Sequence, residues 1–253
     1  LRRHRSHEVI EGPDCVIVHR DLPSAPGPWS ADRVRAVVTS SGQRFVATET
    51  PFPREITDVA AGVVDRRGKV IRGLGVATET VFGREFEVSP TGFWQVHPRA
   101  AETLVEAVLE LAAPQPGEIA LDLYAGVGLF TRFLAERVGE SGSVHSVEGS
   151  RPAHEFAARN LADFSHVTLH QGSVEHVLKR AAVPKEVDLI VADPPRAGAK
   201  PAIAEISARG ASRVVHVACD PAAFARDVVL YRNHGYRLVK LRAFALFPMT
   251  HHV

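Results

Sequence analysis

The spacing of hydrophobic and polar residues along this chain changes near residue 92. Before that point, short apolar runs alternate with polar residues and are separated by turn residues such as Ser40-Ser41-Gly42-Gln43, a pattern typical of β-hairpins. The predicted strands lie at 34–38, 44–47, 61–64, 70–71 and 84–88. We therefore expect a small β-rich domain over residues 1–91.

From Pro98 onward the apolar spacing becomes helical, and Pro114-Gln115-Pro116-Gly117 ends the first predicted helix. Strand-like runs then alternate with helix-like segments. The predicted strands are 119–124, 143–148, 167–171, 187–193 and 213–218, and the predicted helices are 129–138, 150–162, 174–182, 200–208 and 222–233. We interpret residues 236–253 as the start of a closing strand pair. Nearly continuous apolar strands between amphipathic helices predict an α/β domain over 92–253, with a doubly wound, mostly parallel sheet.

The overall composition narrows the class of protein only slightly. With 253 residues, 45% hydrophobic and 23% charged, the chain is typical of soluble globular proteins. Its formal net charge of +1 neither requires nor excludes a nucleic-acid partner, because binding depends on where the charge clusters. Basic residues cluster at 1–7 and again at Arg66, Arg67 and Arg72, which fits either a solvated edge or a nucleic-acid contact.

The chain has two cysteines, Cys15 and Cys219, too few for a zinc site or an iron–sulfur cluster built from its own thiols. We expect no metal site. With no secretory leader and no long apolar segment, the cysteine content indicates a reducing, cytoplasmic setting without membrane insertion. Cys15 lies in loop-like sequence and is interpreted as structural. Because the first residue is Leu1 rather than methionine, the chain is expected to be a fragment.

A glycine loop follows the first strand of the α/β part. Gly126 and Gly128 precede a predicted helix, where the backbone can approach a bound nucleotide closely. A dinucleotide fingerprint would need a third glycine near 129–130, where none stands. The loop reads Asp-Leu-x-x-Gly-x-Gly, and Glu148 ends the next strand, where it can accept hydrogen bonds from ribose hydroxyls. This pattern fits S-adenosylmethionine better than NAD; a ligand-free turn and a different nucleotide are the alternatives.

Two further motifs end later strands of the same predicted sheet. Asp193-Pro194-Pro195-Arg196 follows a buried strand, and its rigid prolines would present carbonyl groups and Asp193 to a substrate. Cys219 follows the next strand and precedes a helix, a position that favours the thiolate needed for covalent catalysis. The alternatives are a plain strand-terminating turn for the first motif and an inert buried cysteine for the second.

Taken together, these residues resemble the RNA 5-methyluridine (uracil-C5) methyltransferase family, which modifies uridines in transfer and ribosomal RNA. The matching segments, in order, are Phe93-Trp94-Gln95-Val96-His97, 122–128, Val147-Glu148-Gly149, 193–198, Cys219-Asp220-Pro221 with Ala225-Arg226-Asp227, and 247–253. The resemblance covers 93–253, while 1–92 is similar to part of the family's central β-rich, RNA-binding domain. It implies a seven-stranded, Rossmann-like methyltransferase sheet.

The resemblance also implies roles for single residues. The side chains that would line the S-adenosylmethionine site are Gln95, Tyr124, Glu148, Ser173 and Asp193, with Gly126 and Gly128 in its loop. Cys219 would be the nucleophile that adds to carbon 6 of uracil and makes carbon 5 nucleophilic. Ser173 can equally be a helix cap, and Gln95 a polar loop residue.

The sequence departs from the family pattern at three places. The family's closing motif continues into a glutamate that acts as the base, and this chain stops before it at Val253, so its carboxyl terminus is expected to be truncated. The amino-terminal RNA-binding barrel and the iron–sulfur cysteines of some members are not in this sequence. His97 and Asp220 stand where asparagine is common.

These observations favour an S-adenosylmethionine-dependent enzyme that methylates carbon 5 of a uridine in tRNA or rRNA. The first alternative is another RNA methyltransferase, acting on cytosine carbon 5 or on a base amino group. Amino-group enzymes often have an aromatic residue where Arg196 stands, and Cys219 argues for covalent chemistry. The second alternative is a non-catalytic RNA-binding module. Which RNA is bound and which oligomer forms are left open by the sequence.

Overall fold

The computed structural model describes residues 34–48, 60–180 and 183–246. The predictions on residues 1–7, on Cys15 and on the closing motif at 247–253 lie outside these ranges. The chain divides into two compact units, with the division after Gly75. This division comes earlier than the predicted one at 91/92, because the segment that follows Val76 packs on the helices of the second unit.

The first unit is a four-stranded sheet. Its strands are β1 (Val34–Val38), β2 (Arg44–Thr48), β3 (Gly62–Val64) and β4 (Val70–Gly73), in the order β1-β2-β3-β4. β1 and β2 form the predicted antiparallel hairpin, with Val34 opposite Thr48, and β3 pairs with β4 as a second one. The parallel pairing of β2 with β3 joins the hairpins and buries Phe45, Val46 and Val63.

The second unit begins with a hairpin of β5 (Ala77–Val81) and β6 (Arg84–Val88). β6 was predicted from its alternation, whereas β5 was not predicted. Phe82 and Gly83 connect the two strands, both with left-handed backbone (φ 48° and 74°), as a two-residue hairpin turn needs. Phenylalanine is an unusual residue for such a turn. Here its ring makes an edge contact with Phe133, with centroids 6.0 Å apart.

The rest of the second unit alternates strands and helices as predicted. In chain order the elements are α1 (Ala100–Ala112), β7 (Ile119–Leu123), α2 (Leu129–Val138), β8 (Ser143–Glu148), α3 (Arg151–Asn160), β9 (Val167–Gln171), α4 (Val174–Val177), β10 (Leu189–Ala192), α5 (Ile203–Ser207), β11 (Arg213–His216) and α6 (Pro221–Asn233). α4 and α5 are shorter than predicted. Some strands end one or two residues earlier, where the backbone turns away from the sheet.

The five strands form one parallel sheet in the order β11-β10-β7-β8-β9. The first strand in sequence, β7, is central, and the chain runs outward to β9 before it returns to β10, which is the predicted doubly wound path. Leu121, Leu123 and Ile190 of the sheet form a buried cluster with Ile203 and Ile206 of α5.

The predicted total of seven strands is not confirmed. Residues 236–246 fall within the described part of the chain and contain no strand. Their side chains alternate between the basic Lys240 and Arg242, which both bind Glu110 of α1, and the exposed apolar Val239 and Leu241. An alternating sequence is therefore present here, but no neighbouring strand pairs with it among the described residues.

Two histidines stack across the neighbouring strands β8 and β9. The rings of His145 and His170 have centroids 5.4 Å apart at 15°, and His145 Nδ1 lies 3.1 Å from His170 Nε2. Burial lowers the pKa of His145 to about 4, with a smaller contribution from His170. Burial also lowers the pKa of His170, as do the charges of Arg180 and His154. Both imidazoles are therefore neutral at pH 7, and one ring donates a hydrogen bond to the other.

We expect mild acid to destabilise the fold through this pair. In the unfolded chain histidine titrates near pH 6.5, so below that pH the unfolded state binds protons that the folded state does not. The free energy of unfolding should fall between about pH 6.5 and about pH 4. The loss should be about 1–2 kcal/mol, since the rings are only half-buried and partly screened. Urea unfolding across this pH range measures it.

The matched control replaces an exposed histidine instead. His145→Gln should remove part of the pH dependence, while His234→Gln, near the end of α6, should keep the wild-type profile. Equal pH dependence in the wild type and in His145→Gln would contradict the role given to the pair.

Candidate active site

The candidate site lies at the edge of the sheet where the parallel strands end. Leu123 of β7 is level with Val147 of β8 and with Ala192 of β10, and Ala192 is level with His216 of β11. The loops that follow these strands therefore leave the sheet side by side. The strand order reverses between β7 and β10, and ligands of such sheets bind at that switch point.

The structure places most of the sequence-predicted residues at this edge. Tyr124, Glu148, Ser173, Asp193 and Cys219 each stand at or shortly after the end of a different parallel strand. The remaining side chain, Gln95, lies half-buried in the loop between β6 and α1. That loop is anchored by Trp94, whose ring packs 5.8 Å from Phe86, and it exposes Phe93 and Val96.

The glycine loop makes a tight turn between β7 and α2. Tyr124 opens it with a left-handed backbone (φ 63°), a strained state for a large residue and one that tends to occur at functional sites. Gly126 (φ 59°) and Gly128 (φ 92°) follow. A Cβ on Gly128 would lie 2.7 Å from Leu161 Cδ1, whereas a Cβ on Gly126 would meet no atom within 4 Å. Gly128 is thus required by packing, and Gly126 borders open space.

Glu148 ties the end of β8 to this loop. Its Oε2 accepts a hydrogen bond from the Gly126 N–H at 2.7 Å, and its Oε1 accepts one from the Ser150 N–H at 2.5 Å. An ionised carboxylate offers about four acceptor positions. Each Glu148 oxygen therefore keeps a lone pair for a hydroxyl donor beside the glycine loop, as the sequence led us to expect.

A buried carboxyl lies beneath the same loop. Asp122 is fully buried and accepts a hydrogen bond from Thr131 Oγ1 at 2.5 Å; the same hydroxyl lies 3.1 Å from Ser146 Oγ. Burial, with smaller contributions from the charges of Asp193 and Glu148, raises the pKa of Asp122 to about 7, while hydrogen bonds from Thr131 act in the opposite direction. Three acidic residues therefore share this edge, which favours a cationic ligand.

The Asp-Pro-Pro-Arg loop continues β10 past its last paired residue. The Asp193 N–H still donates to the Leu123 carbonyl at 3.2 Å, so Asp193 sits beside the start of the glycine loop. Burial raises the pKa of Asp193 to about 6. Beyond it Pro195 and Arg196 are exposed, and a turn is closed by the Gly198 N–H, which donates to the Pro195 carbonyl at 2.7 Å.

Cys219 stands between β11 and α6. The Val217 N–H donates to the Ala192 carbonyl at 2.8 Å and extends the pairing of the two strands towards the cysteine. Asp220 then caps α6 by accepting the Ala223 N–H at 2.8 Å, and Pro221 begins the helix. Cys219 is a reduced, half-buried cysteine. The residue is partly exposed at the edge that carries the glycine loop and is not sealed in the core.

Three residues that the sequence analysis singled out, Ser173, His97 and Asp220, make local hydrogen bonds. Ser173 occupies the N-cap position of α4, but its Oγ pairs with His176 Nδ1 at 2.7 Å and caps no backbone N–H. His97 Nδ1 accepts a hydrogen bond from the Arg99 N–H at 3.2 Å and helps to start α1. Asp220, as described, caps α6. These local bonds account for His97 and Asp220 without a ligand.

Asn160 belongs to the site's support and was missed in the sequence. It is buried at the end of α3, where its Nδ2 donates to the carbonyls of Val127 and Glu87, each at 3.0 Å. Its Oδ1 accepts the Glu87 N–H at 2.8 Å. One amide thus joins the glycine loop to β6. Its partners are 33 and 73 residues away in sequence, so no local pattern signals it.

Other kinds of site were not found in the part of the chain that the structure describes. Within residues 34–48, 60–180 and 183–246, no three histidine, cysteine or acidic side chains come together as a metal site. Over the same ranges, no helix combines the length and apolar character that a membrane span needs.

The sequence matches the model of the tRNA (uracil-5-)-methyltransferase family over residues 65–253. The chain belongs to this family. The predicted resemblance is thereby confirmed.

Relatives in two Streptomyces species are similar in sequence over the whole length of this chain. An uncharacterized RNA methyltransferase of Streptomyces avermitilis is 44% identical over 277 residues, covering 100% of this chain and 62% of that protein. One of Streptomyces coelicolor is 43% identical over 270 residues, covering 100% of this chain and 58% of that protein. The chain therefore spans about three fifths of the length of these two relatives.

A solved structure shares the fold. The Pyrococcus abyssi tRNA (uracil-54, C5)-methyltransferase, in complex with S-adenosyl-L-homocysteine, superposes with a TM-score of 0.69 at 25% identity, covering 87% of this chain and 56% of that chain. This likeness confirms the predicted α/β, Rossmann-like methyltransferase class for this member of the family.

Replacing Asn160 should loosen the glycine loop and β6 together. Asn160→Asp keeps the shape and the acceptor but removes both donated hydrogen bonds and buries a charge beside two carbonyls. We expect the free energy of unfolding to fall by about 2–4 kcal/mol, measured by urea unfolding at neutral pH. The matched Asn233→Asp, at the exposed end of α6, should change it by less than about 0.5 kcal/mol. Equal effects of the two substitutions would refute the role of Asn160.

Proposed function

We propose that this chain is the catalytic part of an enzyme that transfers a methyl group from S-adenosylmethionine to carbon 5 of a uridine in tRNA or rRNA, through a covalent bond between Cys219 and the uracil ring. The observation that carries the proposal is a free, partly exposed cysteine, Cys219, at the same sheet edge as the glycine loop, Glu148 and Asp193. Membership of the tRNA (uracil-5-)-methyltransferase family supports it.

The loop after β7 fits a nucleoside with a cationic sulfonium. Gly126 leaves open space beside its Cα, so that a ligand can approach the backbone. Glu148 keeps acceptor capacity for ribose hydroxyls. The buried Asp122 and Asp193 lie nearby with raised pKa values, so a cationic ligand would favour their ionised forms. We assign Tyr124, Ser173 and Gln95 to the same cofactor site, with Gly128 holding the loop. The related Pyrococcus enzyme with bound S-adenosyl-L-homocysteine supports this cofactor.

When bound, S-adenosylmethionine supplies an electrophilic methyl group on a positively charged sulfur. Carbon 5 of uracil is a poor nucleophile, and Cys219 overcomes this by adding its thiolate to carbon 6, which turns the ring into an enolate. Carbon 5 would then form a bond to the methyl carbon while the bond from that carbon to the sulfonium sulfur breaks, and the sulfur would keep the electron pair as a neutral thioether. A base removes the proton from carbon 5, the bond from sulfur to carbon 6 breaks, and the ring double bond returns.

The elements around Cys219 suit this role. Cys219 directly precedes Asp220, the N-cap residue of α6, so the cysteine stands beside the amino terminus of that helix. Asp193 lies on the neighbouring loop, between the glycine turn and the cysteine. The exposed Arg196 and Pro195 continue that loop outward, where a polynucleotide substrate would meet them.

The proposed substrate is a uridine in folded RNA. A base held in a stem or loop has to leave its stack to reach a recessed thiol, which costs a few kcal/mol. RNA of this kind is recognised by shape and by unstacked bases, so the choice between tRNA and rRNA depends on surfaces beyond Cys219. A reduced catalytic thiol fits the cytoplasmic location that we propose.

The cofactor assignment is tested by two alanine substitutions at the two ends of α2. Gly126 and Gly139 flank α2, both have a positive φ (59° and 65°), and neither would bring a Cβ within 4 Å of another atom. Each substitution should cost about 1–3 kcal/mol of stability, because alanine is strained at positive φ. Calorimetric titration of the full-length protein with S-adenosylmethionine should show at least about tenfold weaker binding for Gly126→Ala, because the new methyl enters the ligand space.

Gly139→Ala is the control and should bind S-adenosylmethionine as the wild type does. Unchanged binding in Gly126→Ala would remove the glycine loop from the cofactor site.

The covalent step is tested with RNA that contains 5-fluorouridine. Fluorine cannot leave carbon 5 as a proton does, so addition of Cys219 followed by methylation should trap a stable protein–RNA adduct. We expect the full-length wild type to form the adduct in the presence of S-adenosylmethionine, and Cys219→Ala to form none. Denaturing electrophoresis with labelled RNA detects it. Cys15→Ala, which replaces the other cysteine, should leave adduct formation intact.

Three outcomes would overturn this mechanism. An adduct that persists in Cys219→Ala would assign the chemistry to another group. Methylation of cytosine or of a base amino group would show a different RNA methyltransferase. The absence of any adduct or methyl transfer with cellular tRNA and rRNA would favour an RNA-binding module without catalysis.

A further inference from the structure

A buried acidic residue on α6 holds the loop that begins at Asp193. Asp227 is fully buried, and its Oδ2 accepts a hydrogen bond from the Ala199 N–H at 2.6 Å. Its Oδ1 accepts two more from the neighbouring guanidinium, from Arg226 Nε at 3.1 Å and from Nη2 at 2.8 Å. The carboxylate is thus bound on one side by the 193–199 loop and on the other by its own helix.

Arg226 completes the link from the surface side. Its Nη2 also donates to the Ala197 carbonyl at 2.6 Å. Gly198, between the two bonded residues, has a left-handed backbone (φ 77°) and lies so close that a Cβ there would overlap both the guanidinium and the carboxylate. Arg226, Asp227 and the 197–199 backbone therefore interlock, and we call this set of residues the Arg-Asp clamp.

The Arg-Asp clamp connects the two loops to which the proposed function assigns the chemistry. Cys219 stands in the loop before α6, and Asp193 stands in the loop before Ala197. At the sheet, the Val217 N–H donates to the Ala192 carbonyl at 2.8 Å and holds the near ends of these loops together. The clamp holds the far end of the Asp-Pro-Pro-Arg loop against α6, the helix that directly follows the cysteine loop. The two loops are thus linked both at the sheet and through α6.

The contacts of the Arg-Asp clamp fix the relative orientation of its groups more than they add to the free energy of unfolding. Asp227 is fully buried, and the cost of desolvating its carboxylate offsets part of the attraction to the partly exposed Arg226. Two hydrogen bonds from a planar guanidinium to one carboxylate do fix the relative orientation of the groups. His216 Nε2 lies 3.6 Å from Asp227 Oδ2, but burial lowers the pKa of His216, so at pH 7 Arg226 supplies the positive charge.

We propose that the Arg-Asp clamp is a positioning device that sets the Cys219 thiol against the uracil ring bound at the 193–196 loop. The proposal rests on the proposed function and assigns to Arg226, Asp227 and Gly198 a part in the covalent step. None of them touches the substrate. They act by keeping the cysteine loop and the Asp-Pro-Pro-Arg loop in register.

Two substitutions in the full-length protein disrupt the Arg-Asp clamp, one on the helix and one on the loop. Arg226→Ala removes the guanidinium, whose side chain is 41% exposed, so the fold should tolerate its loss. Gly198→Ala leaves Arg226 and Asp227 in place but pushes them off the loop. Both variants should form the 5-fluorouridine RNA adduct roughly 100-fold more slowly at saturating RNA and S-adenosylmethionine, since a displacement of about 1 Å can cost that much.

Two further measurements and two further variants distinguish a positioning role from a general loss of structure. The dissociation constant of S-adenosylmethionine should stay within about twofold of the wild-type value, since the glycine loop is untouched. Alkylation of Cys219 by iodoacetamide without RNA should also stay within about threefold, because the thiol remains accessible. Arg226→Lys keeps the charge but not the two-pronged contact, and it should fall between wild type and Arg226→Ala. Arg232→Ala, later on the same helix, is the matched control and should match the wild type.

The possible results have distinct meanings. If the wild type forms the adduct and both clamp variants form it at the same rate, the positioning role is wrong while the proposed function stands. If both variants lose cofactor binding and thermal stability in step with adduct formation, the clamp is only structural. If the wild type itself forms no adduct, the proposed function fails, and the clamp's role in it fails as well.

Discussion

Parallel pairing is the constraint on which the second unit depends. Each strand of the main sheet runs in the same direction as its neighbours, so all of them end at one edge whatever their side chains are. The registers place Leu123, Val147, Ala192 and His216 level across the sheet. Residues nearly a hundred positions apart, such as Tyr124 and Cys219, are thereby brought to one edge. The chemistry needs only that each loop after a strand carries the right group.

The buried acidic residues near that edge differ in the groups that compensate their burial. Asp227 is fully buried and has a guanidinium partner, whereas Asp122, equally buried, accepts hydrogen bonds from the neutral Thr131. Burial therefore raises the pKa of Asp122 to about 7 and that of Asp193 to about 6. Carboxyls of this kind become fully ionised most easily beside a positive charge. The acidic edge and a cationic methyl donor would stabilise each other, which a neutral nucleoside would not do.

The periodicity of the sequence was sufficient to predict the strands of the main sheet. Glu148, Asp193 and Cys219 were singled out because each stands at or just after the end of such an apolar run. β5 was missed because its buried Glu79 interrupts the apolar alternation and because phenylalanine is rare in a left-handed turn. The pairing of strands across the first unit also leaves no local signal.

Residues that support the site were harder to find, since their partners are distant in sequence. The amide of Asn160 makes bonds to Val127 and Glu87, and neither spacing is periodic in any element. Arg226 and Asp227 were noticed only as part of a family motif, and their contact with the 197–199 backbone needs the folded loop. Side chains that react are recognisable by type and place, whereas those that hold them are defined by three-dimensional contacts.

The hairpin of β5 and β6 has a practical consequence for where the methyltransferase domain begins. Its Phe86 lies against Phe133 of α2, Arg84 pairs with Glu136, and Glu87 is bonded to Asn160. A domain excised at residue 92 would strip these partners away and leave an apolar cleft and an unmatched amide open to water. Excision at Val76 would retain them, so recombinant work on the isolated second unit should start there.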